Sequence, residues 1–482
     1  MEATTPLDET ASPHVVNPRR WLALAVICAG ELMIVLDGTI VTVALPQIKE
    51  GLHFGDTGLA WTLNAYLLTF GGLLLLAGRA ADLIGPRRLF VSGLGIFTVA
   101  SLICGLATDA WMLVAARALQ GVGGAIITAV ALALLVINFP EAHERAKAMG
   151  IWTFVAAGGG SIGVTLGGVL TDALDWRWIF LVNLPVGIIA IIMTMRSLAP
   201  DPTSREGTLD VAGAILATGA STLLVAAFVG VESAGWVSAR TIGLLAGSLL
   251  LIAAFIVVER RVAHPLLPAG VFRSRNLTAG CVVSVLTIIG LFGWFFIGTL
   301  YLQRVLGHDP LKTGLTFLPA TLLLGGMSTG PSATLVRKFG PKPPLVAGTA
   351  MTVLGLVLMA RAPVGGHILV DVMPAMILIG IGIGMSFMPL FLLALSDVPE
   401  TEAGASSGVL TTAQQIGGAL GIAVLVAIAA ARTERVGGDP VAALNSGYHA
   451  ALWCGAALSA VAIPVALWAF RGGRDVAGAA HH

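Results

Sequence analysis

Apolar runs of about 20 residues recur along nearly the whole 482-residue chain, parted by short polar or charged turns. A run of that length, wound as a helix, crosses a ~30 Å hydrocarbon core. The pattern predicts fourteen spans, near 21–45, 59–77, 88–107, 111–137, 147–170, 178–198, 209–230, 241–258, 277–300, 312–334, 343–361, 367–392, 405–431 and 447–471. The first follows Arg19-Arg20. It is longer than the apolar core of a signal peptide and shows no small-residue cleavage site, so it is expected to stay in the mature chain. Residues 1–20, with Pro6, Pro13 and Pro18 and few apolar side chains, read as a polar tail, and 472–482 as a second.

Composition supports an all-α membrane protein. Hydrophobic residues make up 56% and charged residues 11% of the chain, against roughly 25% charged in an average soluble domain, and the mean hydropathy is +0.92. No stretch remains for a sizeable soluble domain. A net charge of +1, with the basic residues scattered through short loops, argues against a nucleic-acid partner. Cys28, Cys104, Cys281 and Cys454 all lie in apolar runs, where a thiol serves as a small hydrophobe; neither disulfides nor a metal site is expected. With the N-terminus inside, 18 of the 27 Lys and Arg fall in the N-terminal tail and the segments on its side, 8 in the opposite loops, and Arg117 within a span. Basic residues accumulate in cytoplasmic loops, so both termini are predicted cytoplasmic.

The most informative turn is Gly78-Arg79-Ala80-Ala81-Asp82-Leu83-Ile84-Gly85-Pro86-Arg87-Arg88, between the second and third spans. A weaker copy, Val336-Arg337-Lys338-Phe339-Gly340-Pro341-Lys342, lies 255 positions downstream, counting from Gly85 to Gly340. The pattern G-x-x-x-D-x-x-G-x-[KR]-[KR] resembles the signature loop of the major facilitator superfamily, whose architecture is an internal duplication. Further stretches resemble its fourteen-span drug:proton antiporter branch: Leu36-Asp37-Gly38-Thr39 through Pro46, Trp176-Arg177-Trp178 through Asn183-Leu184-Pro185, Tyr301-Leu302-Gln303, and Gln414-Gln415-Ile416-Gly417-Gly418. The resemblance implies the major facilitator fold: two pseudo-symmetric six-helix halves, 21–198 and 277–471, with two inserted helices and their linkers over 199–276. It also implies a bacterial cytoplasmic-membrane protein, working as a monomer among membrane lipids.

Three ionisable residues fall inside predicted spans: Glu31, Asp37 and Arg117. A charge at the centre of a bilayer costs about 2.5–3.5 kcal/mol on insertion scales, so such residues are functional candidates by default. Asp37 lies eight residues before Leu45 and Arg117 six after Trp111. At ~1.5 Å per residue they sit about 12 and 9 Å from the same, outer ends of their spans, and pair if the first and fourth spans are neighbours. Glu31 is displaced about 9 Å toward the midplane and about 120° around the helix. Asp37 and Glu31 are read as trading protons with a cavity while Arg117 stays charged and biases them; the alternative is a permanent ion pair that fixes packing, and for Glu31 the attraction of a cationic substrate. Arg117-Ala118-Leu119-Gln120-Gly121-Val122-Gly123-Gly124 resembles the family's fourth-span motif, which implies proton coupling for its Arg.

By the same resemblance, Gly78, Asp82, Gly85, Arg87 and Arg88 form a conformational latch, with the carboxylate favoured at a helix N-terminus. Arg87 and Arg88 also read simply as topology determinants. The fifth span carries Gly159, Gly163, Gly167 and Gly168, similar to the antiporter motif G-x-x-x-G-P-x-x-G-G but with Val164 in place of the proline; a Gly-rich packing face is the other reading. Candidate substrate-lining residues are Asn64, Tyr66, Trp152, Trp294, Phe295, Gln303, Gln414 and Gln415, since aromatics with a few amides suit amphiphilic compounds. No phosphate-cradling loop is present, as Lys312-Thr313 follows Leu311 where such a loop needs Gly, so no cofactor is expected and a proton gradient is the expected energy source. The favoured function is proton-coupled export of lipophilic or cationic drugs or antibiotics. Import of a small nutrient is the alternative, and an enzyme is not expected, since no H-E-x-x-H pattern occurs.

Overall fold

The computed structural model describes residues 18–139, 141–198, 210–235, 237–262, 266, 274–398 and 403–470. The 472–482 tail, residues 1–17 of the first tail and most of the linkers at 199–209 and 263–273 lie outside the described residues. Among the described residues there are fourteen helices of 15 residues or more. They are α1 (Arg20–Gly51), α2 (Trp61–Ile84), α3 (Pro86–Gly105), α4 (Ala110–Asn138), α5 (Ala142–Ala173), α6 (Asn183–Ser197), α7 (Val211–Ala234), α8 (Ala239–Glu259), α9 (Arg275–Leu300), α10 (Pro310–Thr329), α11 (Lys342–Met359), α12 (Met373–Ala394), α13 (Ala403–Val436) and α14 (Pro440–Ala469). Among the described residues, twelve segments are long and apolar enough to cross a membrane. α5 and α10 are not among them.

Local chemistry sets the ends of these helices. Asp109, Ser238, Ser274, Asp309 and Asp439 each accept a hydrogen bond from the backbone N–H three residues on, which satisfies a donor that the first turn leaves free. Gly85 turns the chain from α2 into α3 at φ 102°, a conformation that a side chain would strain, and Pro86 then starts α3 where no N–H is needed. Gly340 does the same at φ 78°.

Several boundaries differ from the sequence reading. α1 runs through Pro46 to Gly51, six residues past the predicted end, since one proline removes a single ladder bond from an otherwise apolar run. Gly330-Pro331 breaks the tenth predicted span, leaving a separate helix, Pro331–Phe339. The sixth is interrupted at Val182 between a short turn, Trp178–Leu181, and α6. α9 is prolonged by a wide π turn, Tyr301–Val305.

The packing has a repeating plan. α2 and α3 each pack on α4, α1 packs on α5, and α6 packs on both α1 and α3. Eight helices later the same partners recur: α10 and α11 on α12, α9 on α13, and α14 on α9 and α11. The two six-helix sets meet along two long seams, α2 against α13 and α5 against α10, which are each other's counterparts under that shift. α7 and α8 pair with each other, and α7 also lies against α2 and α13. α8 turns Leu249, Leu250 and Ile242 outward, as expected of a helix bathed in lipid. We call the end where α1 begins the lower end and the other the upper end.

Candidate functional site: a buried ion pair and its polar cage

Five helices bring polar side chains together near the upper end of the first six-helix set. Asp37 and Arg117 are both fully buried, and Arg117 Nη1 donates to Asp37 Oδ2. The same Nη1 donates to Gln120 Oε1 at 2.7 Å, and Arg117 Nε donates to the Thr62 carbonyl at 2.9 Å. Gln120 Nε2 in turn donates to Asp37 Oδ1 at 3.0 Å and to Ser101 Oγ at 2.7 Å. Asn183 Nδ2 reaches Asp37 Oδ1 at 3.4 Å, and Cys104 Sγ lies 3.2 Å from Gln120 Oε1. Gln120 therefore touches both ions with opposite ends of one amide. Asp37 is cradled by three donors, so its negative charge replaces the hydration it loses on burial with fixed hydrogen bonds.

Helix geometry explains the meeting. Arg117 and Gln120 lie three residues apart on α4 and so share a face. Ser101 and Cys104 do the same on α3, Asn183 opens α6, and Thr62 is in the first turn of α2. Two aromatic rings complete the cage: Arg117 Cζ lies 4.4 Å from the centre of Tyr66 and 5.8 Å from that of Phe180. Arg117 Nη2 and the Tyr66 hydroxyl are buried without a hydrogen-bond partner.

Asp37 and Arg117, named from sequence, are brought into direct contact. Glu31, also buried, stands apart: it makes no ion pair with Arg117, its Oε2 has no hydrogen-bond partner, and the Trp152 indole of α5 approaches it without closing a bond. Tyr66 lies within electrostatic reach of Asp37, Arg117 and Glu31. Gln120, Ser101, Asn183, Thr62 and Phe180 were not singled out by the sequence reading, and Cys104 was read only as a small hydrophobe. Gln120 and Asn183 were nevertheless inside the two stretches that carried the resemblance; what was missing was the knowledge that α3, α4 and α6 converge there.

The other candidates are dispersed. Both amide atoms of Asn64, the Trp294 indole N–H and Gln414 Nε2 are buried without partners, and they lie on α2, α9 and α13, helices that contribute to the contact between the two sets. Trp294 is packed with Phe295 and Phe317 at centroid separations of 4.6 and 5.1 Å, and Phe295 stacks on Phe317 at 5.4 Å. Gln415 packs against Gly71 across the α2/α13 seam. Gln303 instead donates from Nε2 to the Val43 carbonyl at 2.8 Å, tying the π turn after α9 to the upper part of α1.

At the lower end, Gly78 and Gly85 flank the last turns of α2, and Arg88 is exposed. The Asp82 side chain lies outside the described residues. Arg87 Nη2 donates to the Met195 carbonyl at 2.6 Å and Arg19 Nη1 to the Arg196 carbonyl at 2.8 Å, so two cations cap the C-terminus of α6. On α5, Gly159, Gly163 and Gly167 face α1, whereas Gly168 faces the start of α10. A methyl group on Gly167 would come within 2.8 Å of Ile40, and one on Gly168 within 2.7 Å of the Pro310 carbonyl, so both close approaches need glycine.

The described residues form a helical bundle of two internally repeated six-helix sets, with twelve segments long and apolar enough to cross a membrane and a buried ion pair, the architecture of a membrane transporter. The chain belongs to the major facilitator superfamily, whose family model matches residues 27–422. It is 41% identical over 447 residues to the puromycin resistance protein pur8 of Streptomyces alboniger, covering 92% of this chain and 89% of that protein. It is 38% identical to the cephamycin export protein CmcT of Amycolatopsis lactamdurans, over 86% of this chain and 85% of that one. Among solved structures, an inward-facing, unoccupied bacterial homolog of the human lysosomal transporter Spinster shares the fold with a TM-score of 0.68 at 15% identity, covering 94% of this chain and 97% of that one. The relatives are resistance and export proteins, which supports efflux over import.

Proposed function

We propose that this protein is a proton-coupled antiporter that exports lipophilic or cationic antibiotics across the bacterial cytoplasmic membrane by alternating access. The observation that carries the reading is the fully buried Asp37–Arg117 pair held inside a cage of neutral amides and a hydroxyl. Such a carboxylate can change its proton occupancy only when the packing around it changes, which is the requirement for coupling. Glu31, which makes no ion pair with Arg117, is the second carboxylate, for a proton or for a cationic group on the substrate. The export of puromycin-like or other amphiphilic compounds is inferred from the relatives, and the unpartnered Asn64, Trp294 and Gln414 groups offer it hydrogen bonds. The energy source is the proton gradient; 100 mV across the membrane moves one charge with about 2.3 kcal/mol.

The topology follows the same reading. In this reading α5 and α10 complete a set of fourteen spans; in support, they pack along each other between the halves and are the counterparts of α13 and α2, which are long and apolar enough to span. The halves are 21–198 and 277–471, with α7 and α8 inserted, both termini cytoplasmic, and the protein monomeric. The lower end is then cytoplasmic, and Asp82, Arg87 and Arg88 lie at the cytoplasmic latch. The test is drug efflux by Asp37→Asn, Glu31→Gln and Arg117→Ala, with and without a protonophore. Loss of gradient-driven efflux in Asp37→Asn, with normal membrane insertion, is expected. Undiminished pumping by that variant removes Asp37 from the mechanism.

A further inference from the structure

Proton uptake by Asp37 creates a difficulty that the cage has to solve. Arg117 stays charged, and it is fully buried. Once Asp37 is neutral, the guanidinium loses the one anion hydrogen-bonded to it and keeps only the Thr62 carbonyl and Gln120 Oε1. A buried charge stripped of its partner is strongly destabilising. Beyond those two neutral acceptors, the ring face of Tyr66, 4.4 Å from Arg117 Cζ, supplies negative potential to the guanidinium, and ring–cation attraction is strongest where water is excluded.

We propose that Tyr66 is a positioning residue for proton coupling: its ring replaces the Asp37 carboxylate as the partner of Arg117 while Asp37 carries a proton. The inference rests on the antiporter reading above. The proton goes onto an Asp37 carboxyl oxygen, and no other bond is made or broken. Three features fit this role. The Tyr66 hydroxyl is buried and bonded to nothing, so the ring and not the hydroxyl is what the site uses. Phe180 supplies a second, more distant ring at 5.8 Å. A methyl group on Gly124 of α4 would come within 3.0 Å of the Tyr66 hydroxyl oxygen and 2.9 Å of Phe70, so the last glycine of the Arg117 motif makes room for the tyrosine. The ionisable groups around the guanidinium are Asp37 from α1, Cys104 from α3 and Tyr66 itself from α2, with Glu31 of α1 within electrostatic reach of Tyr66; α6 contributes the neutral Asn183.

Two measurements test the proposal. The first is a thermal-stability cycle on purified protein, comparing Tyr66→Leu in the unaltered chain and in Asp37→Asn, where Arg117 is permanently without its anion. The loss on removing the ring should be larger in Asp37→Asn, and Tyr66→Phe should restore it in both. Equal losses in the two backgrounds overturn the proposal. The second needs no Asp37 variant: drug-induced proton release into unbuffered detergent solution. Tyr66→Leu should release protons at least about tenfold less efficiently, tenfold being the ratio for 1.36 kcal/mol, while Tyr66→Phe matches the unaltered chain. Normal release by Tyr66→Leu overturns it. If the unaltered protein releases no protons with drug, the antiporter reading fails instead, and the stability cycle still decides whether the ring carries Arg117.

Discussion

The two six-helix sets share a packing plan and divide the chemistry unequally. In the first, Glu31, Asp37 and Arg117 are buried; in the second, among the described residues, the buried polar groups are hydroxyls and amides with no charge. Where the first set builds a caged ion pair, the second builds an aromatic cluster of Trp294, Phe295 and Phe317. At the lower end, by contrast, the sets agree. Arg87 and Arg19 cap α6, and two residues after the matching glycine Lys342 Nζ reaches the Phe470 carbonyl at 3.4 Å, while Arg275 Nε donates to the Ala469 carbonyl at 2.9 Å, so cations gather at the C-terminus of α14 as well. Duplication thus kept the fastenings of each set and let the interiors diverge, one toward charge and one toward aromatic surface.

The sharpest way to break this contrast is to remove its charge. Arg117→Ala should lower stability by about 3–5 kcal/mol, the cost of leaving one member of a buried pair alone, and should abolish drug-driven proton exchange; denaturation in detergent and a pH-electrode assay read the two effects. Gln120→Leu leaves the ion pair but removes the amide that touches both ions. It should cost about 1–3 kcal/mol for the polar groups left unmatched and reduce coupled efflux more than it reduces drug binding. On the aromatic side, Trp294→Phe should weaken binding of an aromatic drug by up to about tenfold, in line with 0.5–1.5 kcal/mol for a ring contact, with the proton-to-drug ratio unchanged. A changed ratio would show that the second set shares the coupling role.

The shared fastenings give smaller effects. Arg87→Ala and Lys342→Ala should each cost about 0.3–1 kcal/mol, as for a cation at a helix C-terminus, with Arg87 the larger because its contact is shorter. The smallest expected effect concerns His308 in the upper loop, whose ionisation is pushed below its usual 6.5 by burial and then by the Lys312 cation, against the opposing pull of Asp309. The unfolded chain then binds its proton first as pH falls, so stability should decline just below pH 6.5. His308→Gln should flatten that part of the stability profile, measured as melting temperature against pH.

Much of the fold was legible because apolar length is a direct physical requirement of a bilayer. The ends were less so. The first span, predicted to end at residue 45, runs on through Pro46, which is tolerated inside α1, whereas Gly330-Pro331, set within the tenth predicted span, does break the helix. The similar depths of Asp37 and Arg117 made their contact conditional on the first and fourth spans being neighbours, and the packing of α1 on α4 meets that condition. The cage was not legible, because Ser101, Gln120 and Asn183 are ordinary polar residues until α3, α4 and α6 are known to converge. Gln303 shows the opposite limit: read as a substrate contact, its amide is bonded to the Val43 carbonyl, a partner that no spacing in the sequence could have named.

That bond is made from the π turn at Tyr301–Val305, where the backbone is wound with one residue more per loop than an α-helix. Slack of this kind can be taken up locally. Rewinding the turn to α-helical pitch would swing Gln303 around the axis and pull it off α1 while the helices below stay packed, so the upper end would be unlocked like a twisted catch, by rotation at one point.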